Sequence, residues 1–530
     1  MSITNKEELK VFIHGIHDDI RNSGAGYGMD ALKIFYLFYG LRLIDKDDLL
    51  KELKLSDKCS FKNILKLAND SIENKDFNEL LIFLKGELID ELFDNLNTRQ
   101  LFHELRINLE NIGEAYANLI IQVEELFKSI ELYDVDIKGK IYEYFIGFKG
   151  GNDQKSELGQ HFTDRHISEY CLDLLDQDIF KNGNVPSMVD PYGGSGGFTL
   201  TYTNRFKNVK WTKKLLSNIN HYDISDDVIK CVALEIFAIT GQFPNRNEHF
   251  KNQNSFKSCY KKFKLCLTNP PYGGDKMSKS PERINNELIL EDNKLNYPTE
   301  EWAIEQNKKI KGKIKLEELK NKTKQVNCAS CSWQLKKFMK DNNVNTSCND
   351  KESCSLMHIM DLLEEGGTAI AVLKEGVFFD SKYSGVRKVL IENFNVKRIV
   401  SIPGDEFENT TTKTSIIHFE NTGKTEKIDF YEIKPNKAEN NKFKLSKNKD
   451  GETINSVVHK KEDIIDNEGK NIIETFICSA SYEQLSHITK TERKGKSKGF
   501  NEKQEYSLSG KKYDIKITTC SDDYKLVKLG

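Results

Sequence analysis

The stretch Thr268-Asn269-Pro270-Pro271-Tyr272-Gly273 follows an apolar run, Phe263 to Leu267, and sets a carboxamide beside a rigid Pro-Pro corner. Two consecutive prolines lack donor N–H groups and cannot extend a central strand, so they stiffen the chain at the strand's end. The amide oxygen of Asn269 and the main-chain carbonyl of Pro270 can each accept from one N–H of a single planar amine. Such an amine is a poor nucleophile because its lone pair is delocalised into a ring. Two acceptors draw the nitrogen toward tetrahedral geometry and free that lone pair for attack on a sulfonium methyl. Tyr272 offers a face to the ring carrying the amine, a contact worth roughly 1–3 kcal/mol per base in nucleic-acid sites. No metal and no strong base are needed, and the motif holds neither. A chance Asn in an ordinary Pro-Pro turn is the alternative.

Two further signals lie upstream. Asp190-Pro191-Tyr192-Gly193-Gly194-Ser195-Gly196-Gly197-Phe198 sits between a short apolar run and a helical pattern. Glycines at a strand-to-helix turn let the backbone approach a ligand, although a plain tight turn would read the same way. One βα unit later, Tyr222-Asp223-Ile224 puts an acid at a strand end, where it could accept from both hydroxyls of a ribose. An acid there could equally cap a helix, a role open to Asp226.

These motifs need a scaffold that brings strand ends together. From about residue 185 short apolar runs end in Gly, Asp, Asn or Pro: Met188-Val189, Lys264 to Leu267, Thr368 to Leu373, Val396 to Ile402 and Ser415 to Phe419. Helical patterns, Asp227 to Ile239 and Leu356 to Leu363, lie between them. The alternation predicts an α/β fold with a largely parallel, Rossmann-like sheet, its last two runs pairing as an antiparallel hairpin. Residues 1–150 predict a helical N-terminal domain. Leu9, Phe12, Ile13, Ile16 and Ile20 recur at helical spacing, as do Phe77, Leu80, Leu81, Leu84 and Leu88, and no proline precedes Pro186. The catalytic domain is expected over 151–424, with a polar insertion at about 275–352, and a C-terminal extension over 425–530.

At 530 residues with 38% hydrophobic and 30% charged side chains, the chain reads as a soluble, multidomain protein. A formal net charge of -2 means that any DNA contact is local or supplied by a partner. The N-terminus does not read as a secretory signal, no apolar stretch is long enough to span a bilayer, and eleven scattered cysteines favour a reducing, intracellular setting. No membrane contact is expected.

Taken together, DPYGGSGGF and NPPYGG resemble the modification (methyltransferase) subunit of type I restriction-modification systems, an N-6 adenine DNA methyltransferase family that includes relatives with a fused specificity domain. The resemblance extends to Gln160-His161-Phe162-Thr163-Asp164-Arg165, similar to the family's first cofactor-contacting segment, and to His358 to Leu363 with Gly366-Gly367. It covers about residues 130–420. It implies a methyltransferase sheet and S-adenosylmethionine as cofactor, held by Gln160 to Arg165, Asp190, Gly193, Ser195, Gly196, Gly197, Asp223, Asn254 and Asn269. It implies that Asn269, Pro270, Pro271 and Tyr272 hold the 6-amino group of an adenine flipped out of duplex DNA. A specificity subunit or fused target-recognition domain, and a restriction (nuclease) subunit, are the partners it implies. Asp164 and Lys374 replace usual prolines. Asn254 stands where an aspartate usually receives the cofactor's adenine amine, a bond its amide oxygen can still accept. Methylation of a glutamine side chain or an RNA base, or a non-catalytic DNA-binding module, are the alternatives.

Weaker signals remain open. Cys328, Cys331, Cys348 and Cys354 could staple the insertion through zinc or be free thiols. The lysine runs around Lys308 and Lys494 could track phosphates or be solvated surface. Tyr524 to Gly530 resembles the lead-in to a target-recognition domain, so a truncation before that domain is expected.

Overall fold

The computed structural model describes residues 3–26, 29–103, 112–130, 133–134, 163–181, 183–206, 209–256, 261–272, 338, 341–344, 350–404, 413–437, 444–445, 472–492 and 500–514. Within them lie strands β1 (Met188–Asp190), β2 (Ile219–Asp223), β3 (Phe250–Asn252), β4 (Phe263–Thr268), β5 (Leu363–Lys374), β6 (Asn395–Ile402), β7 (Thr414–Glu420), β8 (Lys427–Pro435) and β9 (Ile472–Ser481), of which β1, β4, β5, β6 and β7 are the five apolar runs. They form one sheet in the order β9-β8-β6-β7-β5-β4-β1-β2-β3. β1 to β5 pair in parallel, and β7 runs antiparallel between β5 and β6. The expected hairpin is formed, with Ile399 opposite Ile417. The chain enters the sheet at β1, moves outward to β3, and returns on the other side of β1 at β4. The carboxyl ends of β1 and β4 therefore flank the point where strand order reverses, the ligand crevice of open α/β sheets.

Side chains alternate across this sheet, so each strand feeds two cores. Met188, Leu265, Leu267, Ile370 and Val372 face α5 (Arg165–Asp173), α6 (Gly197–Arg205) and α7 (Asp226–Thr240). Val189, Cys266, Ala369, Ala371 and Leu373 face α8 (Lys351–Leu362) and α10 (Ser384–Asn393), with α9 (Gly376–Phe379) between them in the chain.

The N-terminal region is helical, as expected, and includes α1 (Lys6–Asn22), α2 (Met29–Leu43), α3 (Phe61–Asn74) and α4 (Gly113–Ile130). Leu9, Ile13, Ile16 and Ile20 of α1 are buried together. This core extends onto α7. Ile229, Val232 and Ile236 face the sheet, whereas Val228, Cys231, Leu234 and Phe237 join the helical core. Leu234 and Phe237 bury fully, each contributing about 1.5–3 kcal/mol. Ser225 starts α7 by accepting from Val228 N, and Asp226 and Asp227 complement the helix dipole. The capping role considered for Asp226 thus belongs to Ser225, while Asp226 pairs with Arg246.

The boundary expected at residue 424 falls inside the sheet. β8 lies parallel to β6, and β9 closes the edge beyond it. Residues 505–508 then cross the face carrying α10. There the fully buried Arg387 donates to the carbonyls of Val377, Asp380, Glu505 and Tyr506. Tyr506 and Leu508 are core residues of this layer. Among the described residues of 425–514, the lysine-rich texture hides a segment that extends the sheet and buries Ile428, Phe430, Ile433, Ala480, Leu485, Tyr506 and Leu508.

No helix among the described residues is long and apolar enough to cross a membrane. Cys354 is buried on α8, while Cys328, Cys331 and Cys348 lie outside the described residues, as do the lysine runs and Tyr524 to Gly530. No cluster that could hold a metal ion occurs among the described residues.

Candidate active site

The glycine turn leaves β1 at Asp190 and enters α6 at Gly197. Gly196 precedes the helix with φ +84°, a left-handed conformation that a side chain would strain. At Gly193 the constraint is space: a β-carbon there would stand 2.2 Å from the His221 ring. The turn is pinned by Gly193 N to Tyr222 O (2.9 Å) and Gly196 N to Gly193 O (2.9 Å). Asp223, at the end of β2, accepts from Gly194 N (3.0 Å) and Ser225 N (2.8 Å). Burial raises its carboxyl above the usual value. The glycine turn and this acid, separate signals in the sequence, are thus one hydrogen-bonded unit. Beside Asp223, Ile224 keeps 59% of its surface exposed, an apolar group at the crevice mouth.

Asp190 is buried at the end of β1 and accepts from Thr268 Oγ1 (2.7 Å) and Tyr192 N (3.3 Å). Burial pushes its carboxyl up to about 7 against the lowering pull of those two donors, and Asp223 adds to the rise. Tyr192 turns onto the opposite face, its hydroxyl 2.9 Å from His358 Nδ1 and its ring 5.1 Å from that of Phe256. Burial pulls His358 down to about 3, which keeps it neutral. The sequence motifs contain no sign that His358 and Phe256 buttress the glycine turn.

Asn269 follows β4 immediately, at the same edge of the sheet. Its Nδ2 donates to Thr163 Oγ1 (3.0 Å), and its Oδ1 accepts from the Tyr272 hydroxyl (2.5 Å). Asn269 and Tyr272 are each only 8% exposed, Pro270 is buried and Pro271 half-buried. Burial holds the Tyr272 phenol protonated by raising its pKa. The aromatic face expected to receive a ring is therefore turned in, and its hydroxyl occupies the acceptor expected to receive an amine.

Of the segment 160–165, Gln160, His161 and Phe162 lie outside the described residues. Thr163 touches the Asn269 amide, as above. Asp164 occupies the cap position of α5 without a side-chain cap bond, and Arg165 donates to Gly197 O and Thr201 Oγ1. Asn254 lies beyond β3, where its Oδ1 accepts from Phe256 N (3.1 Å). That oxygen, expected to receive a ligand amine, is engaged in a local turn. Ser195 and Gly197 complete the turn as expected by position, and Ser255 donates to Pro191 O.

The sequence matches the N-6 DNA Methylase family over residues 133–309 and 328–492, more than half of the chain. It aligns at 20% identity over 384 residues with the methylase subunit of the type I restriction enzyme MpnII of Mycoplasma pneumoniae, covering 67% of this chain and 60% of that one. The chain thus spans less than two thirds of that relative's length. A solved structure from Vibrio vulnificus YJ016, assigned to a type I restriction enzyme as its modification subunit, superposes with a TM-score of 0.50 at 12% identity, over 96% of this chain and 97% of its own. The matched residues include the glycine turn, Asp223 and the Asn269 corner, gathered on one edge of the sheet, and on these grounds the chain belongs to the N-6 DNA methylase family.

Proposed function

We propose that this chain transfers a methyl group from S-adenosylmethionine to the exocyclic 6-amino group of adenine in DNA, as the modification subunit of a type I restriction-modification system. The observation that carries this reading is the Asn269 carboxamide, fixed at the end of β4 beside the glycine turn at the end of β1. The residues present suit the cofactor. Asp223 keeps lone pairs beyond the two N–H groups it accepts, enough for ribose hydroxyls, and Ile224 offers apolar surface next to it. S-adenosylmethionine supplies an electrophilic methyl that forms a C–N bond as its C–S bond breaks, with the surplus proton leaving the nitrogen to water.

The chain's own part is to hold and polarise the amine. The target adenine leaves the helix, at a cost of a few kcal/mol for unstacking. Its amine replaces the Tyr272 hydroxyl on Asn269 Oδ1, the Pro270 carbonyl accepts the second N–H, and the released Tyr272 ring turns to stack on the base. Orientation then contributes much of the rate. With a net charge near zero, sequence choice and most phosphate contact fall to a specificity subunit or recognition domain, and a nuclease subunit completes the system.

Incubation of the full chain, with its recognition component, and labelled S-adenosylmethionine tests the reading. Label should enter duplex DNA as N6-methyladenine. Label entering only RNA or only a protein glutamine would replace this reading, and cofactor binding with no transfer at all would make the chain a non-catalytic assembly module.

A further inference from the structure

We propose that Thr163 is a positioning residue for methyl transfer, acting through Asn269. The inference rests on the methyl-transfer reading above and goes further by naming what orients its amide. A carboxamide has two donors on one side and two lone pairs on the other, and its terminal torsion is broad and roughly two-fold. Turned one way, Asn269 meets the target amine with an acceptor. Turned the other way, it opposes N–H with N–H and transfer fails. The Tyr272 hydroxyl sits on Oδ1 in the structure, and on this reading it gives way when an amine arrives. Thr163 Oγ1, 3.0 Å from Nδ2, lies on the opposite edge of the amide and can keep its bond throughout. Losing an acceptor for a buried N–H is unfavourable, which favours the productive orientation while the threonine is present.

Thr163 is itself held against the glycine turn. A β-carbon at Gly197 would stand 3.3 Å from the Thr163 carbonyl oxygen and 3.5 Å from its Cβ. Two residues on, Arg165 donates to Gly197 O and Thr201 Oγ1. Thr163 therefore spans the gap between the turn after β1 and the corner after β4. The same side chain that bonds the amide therefore lies against the turn.

The test uses the full chain with its recognition component and duplex DNA, in single-turnover transfer at saturating S-adenosylmethionine, alongside cofactor titration. Thr163→Val keeps the shape and removes the acceptor. Its transfer rate should fall roughly 10- to 100-fold with cofactor affinity nearly unchanged, the split expected for lost orientation. Thr163→Ser should restore most of the rate. If Thr163→Val disturbs the fold, seen as a lowered melting temperature, Thr163→Cys supplies the same comparison with only a weak acceptor. Weakened cofactor binding with an unchanged saturated rate would overturn the proposal by making Thr163 a cofactor contact. Unaltered protein that never methylates DNA would instead defeat the methyl-transfer reading, a failure distinct from any difference among the variants.

Discussion

Thr268 donates to Asp190 at 2.7 Å, a hydroxyl-to-carboxyl bond that ties the end of β4 to the end of β1 one residue before Asn269. The spacing between the glycine turn and the Pro-Pro corner is thus held by a buried side-chain pair in addition to the strand ladder. Its acid carries a titration signature. The Asp190 carboxyl is pushed up to about 7 from an ordinary 3.8, mainly by burial. Between about pH 4 and about pH 7 the folded chain holds a proton that the unfolded chain has released, so this group makes stability fall as pH rises and level off above 7. Asp190→Asn keeps an acceptor for Thr268 and should flatten that part of the profile. Denaturant midpoints across the range check this; an unchanged slope in the variant would remove Asp190 from the account.

Gly193→Ala tests the close approach in the turn. Its new carbon would meet the His221 ring at 2.2 Å, and His221 is itself held by Thr199 Oγ1 at 2.9 Å, so relief requires moving the turn. Overpacking of this kind costs about 1–3 kcal/mol. A lowered melting temperature together with weakened S-adenosylmethionine binding is expected, read by thermal melting and calorimetric titration. Full cofactor affinity in the variant would mean that the turn has room to spare.

Residues 425–514 should behave as part of the catalytic domain. A chain ending at residue 424 loses β8 and β9, bares the edge of β6 and removes two of the four carbonyl partners of Arg387, Glu505 and Tyr506, so it should be insoluble or readily digested. A chain ending at residue 514 should fold. Within the longer chain, Arg387→Ala leaves four carbonyls without their buried donor and should destabilise by several kcal/mol, given about 1.5–3 kcal/mol for each bond to a charged group. Limited proteolysis of the variant should open first near residues 505–508. A stable, soluble fragment ending at 424 would contradict the extended sheet.

The strands that build the crevice are legible because each is a short apolar run stopped by a residue that ends pairing: Asp190 after Met188-Val189, and Asn269 with its prolines after β4. The hairpin of β6 and β7 is legible for the same reason. β8 and β9 are not. β8 is lined with Lys427, Asp429, Glu432 and Lys434, and much of β9 is exposed, so polar texture outweighs the buried Ile428, Phe430, Ile433 and Ala480. At the site, residue types pointed to Asn269 and Pro270 as the proposed acceptors, but not to their neighbours. The bond from Asn269 to Thr163 joins residues 106 apart in the chain, and that from Tyr192 to His358 joins residues 166 apart. Such pairings follow from strand order, which no local pattern reports. The inward turn of Tyr272 is likewise invisible in NPPY, because the tyrosine can stack on a ring or bond its neighbour's amide with the same atoms.

Asn269→Ala is the direct test of the polarising carboxamide. It removes the acceptor that faces the amine and leaves the glycine turn, Asp223 and Ile224 intact. In single-turnover assays on duplex DNA with the recognition component present, methyl transfer to adenine should be abolished while S-adenosylmethionine affinity stays close to that of the unaltered chain. Transfer that survives the substitution, or a collapse of cofactor binding that accounts for its loss, would contradict the role assigned to Asn269.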